Sequence, residues 1–224
     1  RGLIATWADD GTITPTEAKL LVGDLISALN RVANIAGTYG CFLSTWQKSS
    51  FDRIDLRPRV LRDERVDVTA TVGDVYDLAV SPDDIAYLDP PYTKRQYASY
   101  YHILETVVIG DRPVVEGVSG LRPWKHKASP FCYKSKALDA LCRLVEGLHS
   151  DTVILSYSAE GHVPMATLIE RLKQTGIVEC VPLETLGRYR PNRTASANGD
   201  GVAEFVVKYQ KAATRLSGGA TVER

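Results

Sequence analysis

Between Thr14 and Ala33 the apolar residues Leu20, Leu21, Leu25, Ile26 and Leu29 recur at helical spacing and share one face. The residues in front of them predict where that helix starts. Thr14 can cap it, Pro15 suits the first helical position, and Glu17 follows at the spacing of a capping box. The next stretch, AGTYGCFLSTW (36–46), is punctuated by glycines and predicts a turn leading into a shorter helix or loop.

From residue 66 the period changes. VDVTATVGDV (66–75) reads as a strand, DIAYLDPPY (84–92) as a second strand ending in a proline turn, and DTVILSYS (151–158) as a third. VPMATLIERLKQTG (163–176) reads as a helix closed by Gly176. IVECVPLET (177–185) and GVAEFVVKYQ (201–210) complete the set. A long polar loop and no helix separates these last strands, so they are expected to lie antiparallel. The continuous apolar run TVILS suggests a sheet covered on both faces. Strands alternating with helices predict an α/β layer. The expected division is a helical segment over 1–65, an α/β part over 66–211 and a frayed tail over 212–224.

Composition narrows the class. Apolar residues make up 44% of the 224 and charged residues 24%, ordinary values for a globular chain. No apolar run approaches the roughly 18 residues needed to span a bilayer, so no membrane partner is expected. There is neither an apolar leader nor an initiator Met. Cys41, Cys132, Cys142 and Cys180 lie far apart, in no pattern of zinc spacing. They read as free thiols of a cytoplasmic protein, and no metal site is expected. The net charge is zero, so any case for nucleic acid must rest on local patches. Residues 51–65 carry five arginines against Asp52, Asp55, Asp63 and Glu64, a balance that a solvated mixed face explains better than DNA contact.

The chemistry concentrates in YLDPPYTKRQYASYYH (87–102). Ligands of open α/β sheets bind beyond the carboxyl ends of the strands, and Asp89 sits at such an end. Pro90 and Pro91 remove two amide donors and fix φ, so the turn is stiff. Asp89 and the Pro90 carbonyl can accept the two hydrogens of an amino group, while Tyr92 stacks on the ring that bears it. Accepting both hydrogens moves the nitrogen toward sp³ geometry and aims its lone pair at an electrophile. A bare D-P-P tripeptide is equally consistent with a strand-terminating turn.

The string DPPY followed by Arg95, Gln96, Tyr97, Tyr101, His102, Leu104 and Glu105 resembles one branch of the N6-adenine-specific DNA methyltransferases. VANIAGTYGCFLSTW, upstream, and ILSYSAEGH with RYRPN and VAEFVVKYQK, downstream, resemble the same branch, so the likeness covers most of residues 30–211. It implies a Rossmann-like sheet and methyl transfer from S-adenosylmethionine to the exocyclic N6 of adenine in double-stranded DNA, in a bacterial restriction-modification setting. The adenine must leave the stack to react. Asp89 and Pro90 would hold N6, Pro91 would stiffen the turn and Tyr92 would stack on the base. Tyr97, Tyr101 and His102 would line the pocket, reach DNA with Arg95 and Gln96, or pack against the sheet.

One family feature is missing. The F-x-G-x-G cofactor turn is absent; Gly199-Asp200-Gly201 lies in a polar loop, and AGTYG has the wrong spacing. The expectation is that this sequence is part of a longer protein or a split enzyme, with an N-terminal fragment or partner chain carrying the rest of the cofactor site. Asp74 and Val75 are the candidates here for meeting the adenine of the cofactor; a turn-forming Asp after Gly73 is the plainer alternative.

Two basic patches could meet phosphates. Residues 111–136 hold Arg112, Arg122, Lys125, Lys127, Lys134 and Lys136 against Asp111 and Glu116, a net charge of +4, with Trp124 and His126 interleaved. Residues 187–199 hold Arg188, Arg190 and Arg193 with no acid. Two other functions stay open: methylation of RNA or another planar amine, and a non-catalytic DNA-binding or assembly subunit.

Overall fold

A computed structural model of the chain describes residues 1–61, 63–183, 186–187 and 201–212. They group into two units, Arg1–Ala70 with Arg95–Ala128, and Thr71–Lys94 with the residues from Ser129 onward.

The first unit is helical. Helix α1 spans Gly2–Asp9 and α2 spans Pro15–Val32. The capping box forms as the sequence predicts: the Thr14 hydroxyl accepts the Glu17 amide at 3.2 Å, and the Glu17 carboxylate accepts the Thr14 amide at 2.7 Å. The glycine-punctuated stretch that follows is pinned by Asn34, whose amide group donates to the Leu43 carbonyl at 2.8 Å and accepts the Gln47 amide at 3.0 Å. It ends in one 3₁₀ turn, Lys48–Phe51. The extended chain beyond is tied back to α2. Arg59 donates to the Asp24 carboxylate at 2.9 Å and to the Leu20 carbonyl at 3.1 Å. Arg59 is therefore part of the fold, where the sequence predicts a solvated face. Two short helices, α3 (Tyr97–Tyr100) and α4 (His102–Ile109), and the 3₁₀ turn Lys125–Lys127 complete the unit.

The strand expected over 66–75 does not form. Val66, Val68 and Val72 are exposed, and among the described residues no strand pairs with this segment. Alternation supplies a period but not the partner that a strand needs.

The second unit carries the sheet. Its elements are β1 (Ile85–Leu88), α5 (Ala137–Gly147), β2 (Thr152–Ser158), α6 (Met165–Leu172), β3 (Gly176–Pro182), β4 (Leu186–Gly187), β5 (Gly201–Val202) and β6 (Glu204–Lys211). Four strands form one mixed sheet in the order β1-β2-β6-β3. Strands β1 and β2 are parallel, and β6 runs antiparallel to both β2 and β3, as expected of the last long strands. Strands β4 and β5 pair separately. The fold is α/β, as the alternation of elements predicted.

One face of this sheet is the core. Ala86, Leu88, Val153, Leu155, Tyr157, Val207 and Tyr209 are buried with Leu141 and Val145 of α5 and Leu168 and Leu172 of α6. Burying each such leucine contributes on the order of 2 kcal/mol. The other face is more open: Ile85, Tyr87, Ile177 and Val181 are exposed and Ile154 is half-buried. The expectation of a sheet covered on both faces is thus corrected, because α5 and α6 join the same face. Gly176 is a second correction. Helix α6 ends at Leu172, and Gly176 opens β3, where a Cβ would lie 2.4 Å from the Gln210 carbonyl oxygen. The glycine serves a close strand approach, not a helix cap. The tail from 213, Arg62 and most of the loop before β5 lie outside the described residues.

Candidate active site

Because β1 and β2 are parallel, their carboxyl ends lie at one edge of the sheet, and antiparallel β6 begins there. Three segments meet at that edge: the turn Asp89–Tyr92 after β1, the loop 159–163 after β2, and Glu204 at the start of β6. Asp89 is exposed, Pro90 is buried, and Pro91 and Tyr92 are half-buried. A buried proline leading from an exposed carboxylate gives a turn whose base is fixed and whose acid faces outward.

The loop after β2 braces this turn. The His162 amide donates to the Tyr92 carbonyl at 2.7 Å. The Tyr92 ring packs edge-on against Tyr157, with centroids 5.9 Å apart. Tyr157 is itself held, because its hydroxyl accepts the Val163 amide at 3.2 Å. The His162 ring nitrogen Nε2 lies 3.1 Å from the Cys132 carbonyl; a carbonyl only accepts, so Nε2 carries the hydrogen. Sequence reasoning missed Tyr157 and His162, whose roles depend on pairing with a distant turn.

It also missed Glu204. This acid opens β6 in register with Ser158. Burial raises its carboxyl above the usual range; the Ser158 hydroxyl bound to it opposes that, and the charges of Asp89 and Glu160 add to it. The only available signal was an acid inside an otherwise apolar strand, VAEFVV. Carboxylates at the strand ends suit a cationic methyl donor, so the donor set fits the group that the resemblance implies.

Asp74 and Val75 belong to the same unit. Asp74 is exposed, and its carboxylate accepts the Tyr76 amide at 3.0 Å, capping the 3₁₀ turn Val75–Asp77. Val75 packs on the core. Tyr76 is fixed by its hydroxyl donating to the Ala140 carbonyl at 3.0 Å and by the Arg143 guanidinium 4.4 Å from its ring centroid.

The residues after the proline turn fall in the helical unit. Arg95 is exposed and Gln96 is buried, its carbonyl accepting the Ser99 amide at the start of α3. Tyr97 and Tyr101 are exposed and form a T-shaped pair with centroids 5.5 Å apart. His102 is 1% exposed and donates from Nε2 to the Tyr39 carbonyl at 3.0 Å, so it is a packed residue of that unit.

The basic loop is partly neutralised from within. Arg122 grips Asp111 with two bonds of 2.7 and 2.5 Å and holds that carboxyl below the usual range. Lys127 pairs with Glu105. Lys125 is exposed at the start of the 3₁₀ turn Lys125–Lys127. Arg188, Arg190 and Arg193 lie outside the described residues. Among the described residues no cluster could hold a metal ion, and no helix is long and apolar enough to cross a membrane. All four cysteines are free thiols.

The model of the D12 class N6 adenine-specific DNA methyltransferases matches residues 12–162, which include the proline turn and the loop that braces it. The chain belongs to this family. Among curated proteins, this D12-class chain is 34% identical to modification methylase StsI of Streptococcus sanguinis over 83% of its own length and 29% of that protein's. It is 33% identical to type II methyltransferase M.FokI of Planomicrobium okeanokoites, over 77% of the chain and 27% of that protein. It is 28% identical to type II methyltransferase M.NlaIII of Neisseria lactamica, over 87% of the chain and 58% of that protein. The chain thus spans less than a third of the length of the first two relatives. No solved structure matches it.

Proposed function

We propose that this chain carries the amine-binding part of an active site that transfers a methyl group from S-adenosylmethionine to N6 of an adenine flipped out of double-stranded DNA. One observation carries this reading: the Asp89–Tyr92 turn stands at the carboxyl end of a parallel strand and is braced by His162 and Tyr157. Asp89 and the Pro90 carbonyl accept the two hydrogens of the amine. Tyr92 stacks on the base, Pro91 keeps the turn stiff, and Asp74 with Val75 serve the cofactor's adenine. The cofactor supplies an activated methyl group on a sulfonium; the chain's own residues orient the nucleophile. Arg95, Tyr97, Tyr101 and Lys125 serve DNA contact, with Arg122, Lys127, Arg188, Arg190 and Arg193 as further cations. The division into a DNA-contacting part over 1–65 and a catalytic part over 66–211 belongs to the same proposal. So do the restriction-modification setting and the cytoplasmic location.

A second reading has its own support. Among the described residues, nothing pairs with the outer edge of β1, and Ile85 and Tyr87 on that strand are exposed. A parallel strand open at its edge suits completion by further sheet carrying the rest of the cofactor site. The test is methyl transfer from labelled S-adenosylmethionine to duplex DNA, with single-stranded RNA alongside and Asp89→Ala as the control. Label on N6 of adenine that vanishes in the control is expected. Label on RNA alone, or DNA binding without transfer by any combination of chain and partner, would overturn the proposal.

A further inference from the structure

Glu204 sits in register with Ser158, the last residue of β2. Ser158 is 1% exposed, and its hydroxyl has a defined direction: it accepts the Glu160 amide at 3.3 Å and donates to the Glu204 carboxylate. The start of β6 is fixed on both sides. The Ala159 amide donates to the Ala203 carbonyl at 2.9 Å, and the Leu183 amide donates to the Glu204 carbonyl at 2.8 Å. Two further acids act on Glu204, Asp89 from the turn after β1 and Glu160 from the loop after β2. A half-buried carboxylate under the influence of two like charges is costly to keep. Packing gives no reason for it, since the next residues, Phe205 and Val206, are apolar.

We propose that Glu204 is the second carboxylate of the amine site, stabilising the positive charge that develops on the attacking nitrogen and receiving the proton that nitrogen sheds. This rests on the reading of the chain as an N6-adenine methyltransferase. In that reaction the amine lone pair forms the new N–C bond, and the C–S bond breaks with its electron pair going to sulfur. The nitrogen is then cationic and must lose one of its two hydrogens as a proton. Asp89 orients the amine; Glu204, held by Ser158, takes the proton and passes it to water. Its raised proton affinity makes it a better acceptor than an exposed carboxylate.

The test uses the full encoded chain and Glu204→Gln, which keeps the bond to Ser158 and removes the charge. Transfer rates to duplex DNA are measured across pH, with DNA affinity alongside. The expected result is a roughly 100- to 10,000-fold fall in kcat with KM for DNA unchanged, and loss of the acid limb of the kcat–pH profile. Ser158→Ala leaves the charge but removes the bond that favours it, so the same limb should move to higher pH. An unchanged limb in Ser158→Ala overturns the proposal even if Glu204→Gln folds poorly. A wild-type rate and profile in Glu204→Gln, with Asp89→Ala inactive, overturns the role of Glu204 alone. Absence of adenine methylation by the wild type overturns the underlying reading instead.

Discussion

The Tyr92 ring meets the Tyr157 ring edge-on, at 5.9 Å between centroids and 65° between planes. Tyr157 links the proline turn to the core, because it is buried on β2 and its hydroxyl takes the Val163 amide. Gly161 lies against the same ring. A Cβ there would fall 2.4 Å from the Tyr157 ring, far inside contact distance. Gly161→Ala should therefore cost about 1–3 kcal/mol through overpacking. Tyr157→Phe, which keeps the ring and loses one hydrogen bond, should cost nearer 1 kcal/mol. Urea unfolding of both variants checks the order. Gly161→Ala should also slow methyl transfer, since the displaced ring is the one that braces Tyr92; equal activity in both variants would show that the brace does not matter.

The cations of the 111–136 loop should differ in what they give to DNA. Arg122 is bound twice by Asp111, and Lys127 by Glu105, whereas Lys125, at the start of the same 3₁₀ turn as Lys127, is exposed. Removing a cation that releases a phosphate counterion lowers the slope of log K against log salt by about 0.9. Lys125→Ala should show most of that change. Arg122→Ala should show less, because its charge is already matched by Asp111. Fluorescence anisotropy of a duplex across a salt series separates the two; a larger slope change for Arg122 would reverse the assignment.

Arg59 anchors the extended segment to α2 through two different groups, the Asp24 carboxylate and the Leu20 carbonyl. The Asp24 side chain is 10% exposed, so loss of its partner leaves a buried acid. Arg59→Ala should destabilise the helical unit by about 1–3 kcal/mol and speed hydrogen exchange of the amides near Asp55. Arg59→Lys should rescue little, because an ammonium cannot reproduce the fork that meets both groups. Protection factors equal to wild type in Arg59→Ala would mean that the segment is held elsewhere.

The parts legible in the sequence are those whose causes are local. Thr14 and Glu17 form a cap within four residues of chain, and β2 is marked by a continuous apolar run. The proline turn was legible for the same reason, since its acid, its stiffness and its ring are contiguous. Tyr157, His162 and Glu204 were not, because their roles come from strand pairing and loop return that bring distant segments together. The 66–75 segment misled in the opposite sense: it has the alternation of a strand without a neighbour to pair with. Gly176 misled because a glycine after a helix reads as a cap, while here it admits the Gln210 backbone. Helix α5 is absent from the sequence reading although Leu141, Leu144 and Val145 stand at helical spacing, because its apolar stripe is short and is interrupted by Asp139, Arg143 and Glu146.

Cys142 gives a stability signature in alkaline solution. Burial pushes its thiol up to about 11 from an ordinary 9.0, with the nearby Glu146 charge adding to the shift and Arg171 opposing it. In the unfolded chain the thiol loses its proton first, so between these values the folded state binds more protons than the unfolded one. The resulting stabilisation is fully present below pH 9 and is lost as pH rises through about 11. Cys132 and Cys180 are raised by burial too and act in the same direction. Urea unfolding of wild type and Cys142→Ala across this range isolates the one thiol: the stability gap between them should narrow as pH climbs from 9 toward 11. A gap that stays constant would mean that Cys142 ionises no later in the fold than in the unfolded chain. A thiol reagent at neutral pH gives a second readout, with exposed Cys41 modified well before Cys142.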